Sequence, residues 1–210
     1  MKHMETMTDL YLFLLSAVFI SLTGVMSPGP VFAVTVAKGY REKIAGALIA
    51  FGHGVIEFPL MGLIYLGFSW FFAFRETKTV IGFIGGLMLV YMGVNMFKSR
   101  RKSENGIVED VKHGSLGAGI ITTLANPYFF LWWATVGLAL IRNAADFGTV
   151  GFLLFAMTHW LCDFFWDLFV SMTVFKSRHL WSKKVQEIVL GFCSVVLIGF
   201  GAWFIVSVLI

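Results

Sequence analysis

The chain alternates between long apolar stretches and short polar connections. Bounding each stretch by its flanking charges places the stretches near residues 10–37, 44–71, 79–97, 114–141, 148–175 and 185–209. At about 1.5 Å of rise per residue, each is long enough to cross a hydrocarbon core about 30 Å thick. Lipid offers no partner to a backbone amide, and none of the stretches shows the ten-residue alternation of a barrel strand, so all are expected to be helices. The pattern therefore predicts an all-α integral membrane protein of six transmembrane helices, forming a single membrane domain over 1–210. The first apolar run, Leu10 to Met26, is preceded by Glu5 and Asp9 and followed by no small-x-small cleavage site, so it reads as a retained span and not a signal peptide.

Composition agrees and narrows the classes further. The chain is 58% hydrophobic and 13% charged, whereas soluble domains carry about a quarter charged residues, and six spans leave no length for a separate soluble enzyme. Cys162 and Cys193 both lie inside apolar runs, away from the connections where a disulfide framework would be built. The basic residues are distributed asymmetrically. Lys38, Arg41 and Lys43 fall in connection one; Lys98, Arg100, Arg101, Lys102 and Lys112 in connection three; Lys176, Arg178, Lys183 and Lys184 in connection five. The other side carries Lys2, Arg75, Lys78 and Arg142. The positive-inside rule puts connections one, three and five in the cytoplasm and both termini outside the cytoplasmic membrane. The net charge of +4 is then a topology signal directed at anionic lipid headgroups, and it implies no nucleic acid partner. Residues 98–113 read as a solvated cytoplasmic linker.

An internal repeat lies beneath these spans. The run Phe51-Gly52-His53-Gly54-Val55-Ile56-Glu57-Phe58 resembles Met157-Thr158-His159-Trp160-Leu161-Cys162-Asp163-Phe164 at an offset of 106 residues, and the same offset carries Gly85 onto Gly191 and Gly93 onto Gly199. Units of about 9–97 and 114–210 hold three spans each, an odd number, so they are expected to enter the membrane from opposite sides as a 3+3 inverted repeat. The first span of each unit is also interrupted, at Ser27-Pro28-Gly29-Pro30 and at Asn126-Pro127, where proline removes backbone donors. Counting about 1.5 Å per residue from connection one puts both Pro28 and His53 roughly 14 Å deep, near the midplane.

The chemistry concentrates there. Glu57, Asp163 and Asp167 are the acids buried in spans, joined by His53 and His159, and the four-residue spacings within each set place each on one helical face. Intramembrane ionisable groups line cavities, pair with each other or relay protons. The candidate substrate- or ion-binding residues are therefore His53, Glu57, His159, Asp163, Asp167 and Asn126, with helix breaks at Pro28, Gly29, Pro30 and Pro127 exposing amides to a carboxylate. The alternative is that each His and acid form a neutralised pair that only holds two helices together. Thr122, Thr123 and Asn126 either meet substrate or back-bond within a broken helix. Trp70, Trp132, Trp133, Trp181 and Trp203 read as interfacial anchors and Trp160 as packing, while the glycines of Gly82-x-x-Gly85-Gly86 and Gly93 suit close helix approach, which would also allow a homodimer.

Taken together, the run Gly24-Val25-Met26-Ser27-Pro28-Gly29-Pro30, Gly39-x-Arg41, Gly46, Gly52-His53-Gly54 and Asn126-Pro127 resembles the lysine exporter (LysE) family of amino acid translocators. The resemblance covers most of the chain and implies a six-helix carrier that exports small or cationic amino acids against a coupling ion or proton, without a cofactor. One position departs: many members follow Pro-Gly-Pro with Asn, Asp or Gln, and this chain has Val31. The rival within transport is a divalent metal cation exporter using the His and acid residues, although no His-rich loop or clustered metal motif is present and no metal ligand is assigned. Enzymatic readings are poorer. There is no Gly-x-Ser-x-Gly elbow, phosphate loop or His-Glu-x-x-His run, and a thiol shuttle would need a repeat-related cysteine pair, which Cys162 and Cys193 are not.

Overall fold

The computed structural model describes residues 2–27, 29–68, 74–99 and 114–209. Pro28, Trp70 and the linker from residue 100 to 113 lie outside them. The described residues are helical almost throughout: α1 (Lys2–Val25), α2 (Pro30–Gly39), α3 (Ala45–Tyr65), α4 (Arg75–Ser99), α5 (Ser115–Leu124), α6 (Pro127–Trp132), α7 (Leu138–Ala145), α8 (Gly148–Ser177) and α9 (Lys183–Leu209). One π-helical turn, Trp133–Gly137, joins α6 to α7. Among the described residues five helices are long and apolar enough to cross a membrane, and six if α5 and the stretch Pro127–Ala145, bent by 60°, count as one span.

Both expected interruptions are present. Pro30 opens α2 and Pro127 opens α6, each at the first helical turn where a missing amide costs nothing. The span expected over 10–37 is thus two helices, a long α1 and a ten-residue α2. The span expected over 44–71 ends early, at Tyr65, because Gly67 takes a positive φ of 91° that terminates the helix.

Between helices in lipid there is little hydrophobic driving force, so close contact must come from small residues. The long α4 packs along α9, and α3 packs against both α5 and α8. Gly86 and Gly201 back directly on each other's carbonyl oxygens, Gly52 abuts Leu116, and Gly119 abuts Ile49. Gly82 and Gly93 also face α9, and Gly85 faces Ala125 and Pro127. These glycine faces are used inside the chain, so they supply no surface for a homodimer.

Two buried apolar clusters bracket the middle of the bundle. On α3, Ile49 belongs to one cluster and Leu60, Met61 and Ile64 to the other. On α8, Val170 and Val174 belong to the first and Phe152, Phe155 and Ala156 to the second. The polar residues of both helices occupy the gap between the clusters. Outside, large apolar side chains such as Tyr11, Phe19, Tyr91, Phe165 and Trp203 are exposed, as a lipid-facing surface requires.

Candidate functional site

The gap contains a cavity of about 180 Å³ lined by His53, Glu57, Asn126, His159, Asp163 and Asp167, together with Gly29 and Pro30 at the first break. All six candidate binding residues thus share one cavity. Pro127 is not part of its wall; it lies one residue behind Asn126, against Gly85.

Glu57 is the hub, and it is 1% exposed. Its Oε1 lies 3.0 Å from His53 Nε2, one turn earlier on α3, and 3.2 Å from His159 Nε2 on α8. His159 Nε2 is also 3.6 Å from Asp163 Oδ2. The own-helix pairs that the spacing suggested, His53 with Glu57 and His159 with Asp163, are both present, and in addition the Glu57 carboxylate bridges the two halves. Glu57 Oε2 and Asp163 Oδ2 are buried with no hydrogen-bond partner among the described residues. Buried carboxylate oxygens in this condition carry a large desolvation cost. Asp167 Oδ1 accepts from Thr35 Oγ1 at 3.1 Å and so holds α2 to α8 while lining the cavity.

The far nitrogens of both rings are anchored. His53 Nδ1 is 2.8 Å from Thr123 Oγ1, and His159 Nδ1 is 2.7 Å from Ser21 Oγ. Thr123 has one hydroxyl proton and donates it to Gly119 O at 2.8 Å, so its oxygen accepts from His53 Nδ1–H. With Nδ1 protonated, a bond between His53 Nε2 and Glu57 Oε1 needs exchange of one further proton, which resides on one atom or the other. Of the two alternatives, Thr123 takes the back-bond within α5 and does not line the cavity; beyond either, it also holds the ring of His53. Thr122 is buried with its hydroxyl unpartnered among the described residues, and Asn126 caps α6 by accepting from Tyr128 N at 3.2 Å.

Replacing Thr123 by Val removes the acceptor for His53 Nδ1–H, and hydrogen bonds to charged groups are worth about 1.5–3 kcal/mol, so turnover should fall about ten- to a hundredfold. Thr123→Ser should retain most of it. Measuring turnover against KM in a transport assay checks this; a Val variant with wild-type turnover would show that the hydroxyl does not set the ring.

The aromatic wall corrects the sequence reading. Trp132 and Trp133 are not interfacial anchors. Trp132 stacks on His159 with ring centroids 5.1 Å apart, Trp133 meets it edge-on at 4.9 Å, and both line the cavity. Interfacial Trp is a statistical bias of span ends, and it fails here because the break at Pro127 starts a new helix inside the membrane, bringing residues one turn later to the site. Trp132 also packs over Gly24, so this glycine of the first motif makes room for the indole. Ser21 and Thr35 were not singled out in the sequence. Ser21 shares a face of α1 with Gly24 and Val25, which line the cavity, and that three-to-four-residue spacing was its available signal. Trp160 stays outside the cavity as expected for packing, its indole donating to Ala50 O at 3.0 Å. Ligand atoms of His53, Glu57 and Asp163 lie within 4.8 Å of one another, close enough to converge on one ion.

Comparison with known proteins places this geometry. The family model described as LysE type translocator matches residues 22–208, which takes in both breaks and every residue of the cluster. The chain belongs to that family. LysE type translocators are transporters, and this member is a multi-pass membrane protein. It is 27% identical over 198 residues to YcgF of Bacillus subtilis (strain 168), covering 90% of this chain and 93% of that protein, whose name assigns it provisionally to amino acid efflux. No solved structure matches this LysE chain significantly.

Proposed function

We propose that this LysE family member exports amino acids across the cytoplasmic membrane by alternating access, exchanging each for a proton at the Glu57 cluster. The single observation that carries the reading is the pair of unpartnered, buried oxygens, Glu57 Oε2 and Asp163 Oδ2, in a cavity that also contains the start of α2. The α2 helix has no side-chain cap among the described residues, and its first-turn residues Val31 and Phe32 line the cavity. First-turn amides have no intrahelical acceptor and carry the positive end of the helix dipole. A zwitterion has the complementary form: its ammonium suits the carboxylates and its carboxylate suits the amides. A cavity of about 180 Å³ is below the usual 300–1,000 Å³ of drug-sized pockets and suits a solute of amino-acid size.

Coupling follows from charge. Glu57 cannot hold both the shared proton of His53 and an ammonium ion without an extra buried charge, so arrival of one favours release of the other. The two units read from the sequence, taken as an inverted repeat, would provide alternating access. An offset of 106 pairs Gly54 with Trp160, and these two residues back on each other where α3 crosses α8, as a twofold axis between them requires. With connections one, three and five cytoplasmic, both termini lie outside; a homodimer would use surfaces other than the glycine faces of α4.

Proteoliposomes holding the purified chain, loaded with a mixture of amino acids and a pH-sensitive dye, test the proposal. Net loss of particular amino acids down an imposed proton gradient, with matching proton entry, is the expected result. Amino acid movement with no proton flux would refute the coupling. Movement of divalent metal alone would favour the rival reading.

A further inference from the structure

The same cluster has the makings of a metal centre. Four ligand atoms face each other across the cavity: His53 Nε2, His159 Nε2, Glu57 Oε1 and Asp163 Oδ2. Their neighbouring separations are 3.0, 3.2 and 3.6 Å. A tetrahedral ion held at about 2.0 Å by nitrogen and oxygen ligands needs ligand atoms about 3.3 Å apart; these three of its six edges are near that length, and His53, Glu57 and Asp163 offer atoms within 4.8 Å of one another, so bringing in His159 as the fourth ligand needs side-chain adjustment.

We propose that these four residues bind one divalent transition-metal ion. Three further features support it. Both imidazoles present Nε2 to the common centre while Nδ1 is held by a hydroxyl, Thr123 for His53 and Ser21 for His159; such outer bonds fix ring orientation in metal sites. Two carboxylates and two neutral imidazoles cancel the charge of a divalent ion, so the loaded site adds no net charge to the bundle interior. Glu57 Oε2, buried and without a hydrogen-bond partner among the described residues, remains available to close a bidentate contact. Two nitrogen ligands exclude Mg²⁺ and Ca²⁺, which take oxygen, and favour Zn²⁺, Co²⁺ or Ni²⁺. Nothing in this inference requires amino acid export. Where it does rest on that reading, the ion occupies the carboxylates proposed for the substrate ammonium and blocks transport.

Titration of the full-length purified chain in detergent with Co²⁺ tests the site. Four-coordinate Co²⁺ absorbs visible light far more strongly than the hydrated ion, so the bands should grow to one ion per chain and be erased by Zn²⁺. His159→Gln and Asp163→Asn, each read only on protein eluting as the wild type does, should weaken binding more than tenfold. Substituting His3, His113 and His179 by Ala should leave it unchanged. X-ray absorption at the zinc edge of the wild type, which needs no variant, should report two imidazoles. Absence of bands, their survival in both cluster variants, or their loss with the three outlying histidines would overturn the site. Amino acid flux in metal-free proteoliposomes is read separately, so failure of export and failure of metal binding are distinguishable.

Discussion

Glu57→Gln is expected to abolish transport while leaving a folded protein. The substitution keeps shape and volume but removes the charge that faces both histidines, whose Nε2 atoms lie 3.0 and 3.2 Å from the same oxygen. Without that charge the site can neither hold the shared proton nor pair with a cation, so transport should fall at least a hundredfold, about 2.7 kcal/mol on the limiting step. The glutamine amide can still bond to the rings, its NH2 donating to the bare Nε2 of His53, so the packing survives and the lost quantity is the site's charge. Efflux from proteoliposomes reads the activity, and elution volume with melting temperature reads the fold. Efflux within twofold of wild type would mean that Glu57 only holds α3 to α8, which is the structural alternative left open by the sequence. Loss of the fold would mean the same, since a residue whose sole service is to the ligand should tolerate an isosteric change.

Gly46→Ala should be nearly as damaging, by a different route. At this crossing of α3 and α8 a Cβ on Gly46 would fall inside contact distance of the Asp167 carbonyl and the following amide nitrogen, all backbone atoms that cannot rotate away. Overpacking typically costs about 1–3 kcal/mol, and here relief requires one helix to move, so the upper end applies. For a chain of this size that is a melting temperature lower by about 5 °C or more. Because the displaced backbone carries Asp167, which Thr35 holds from α2, activity should fall with stability. Gly62→Ala is the control. Nothing lies within 4 Å of a Cβ there, and relieving a mid-helix glycine should leave stability unchanged or raised. Equal losses at both positions would show that Gly46 matters for helix flexibility and not for close approach.

These two positions also show what could be read in advance. Gly46 was visible only as part of a family motif; its reason, a backbone crossing with Asp167, depends on how α3 and α8 are set against each other. Glu57 was visible by chemistry alone, since a carboxylate inside an apolar run is too costly to be incidental. Its partner was not. Spacing along one helix predicted His53, one turn away, and could not predict His159, because pairing across 102 residues of sequence depends on helix rotation. Asn126 and Asp167 were found by the same polarity argument, whereas Trp132 and Trp133 were misplaced at the interface.

The sequence by itself determined the helices, the two proline breaks, the family and the ionisable residues buried in the cavity. Each of these follows from a local rule: apolar length against bilayer thickness, the missing amide of proline, the cost of charge in lipid. Only the tertiary structure decided that one carboxylate serves two histidines, that Thr123 and Ser21 hold the outer ring nitrogens, and that two tryptophans wall the cavity. Such arrangements depend on crossing angle and rotation between helices, which small residues set at distant positions, and no local pattern of hydrophobicity records them.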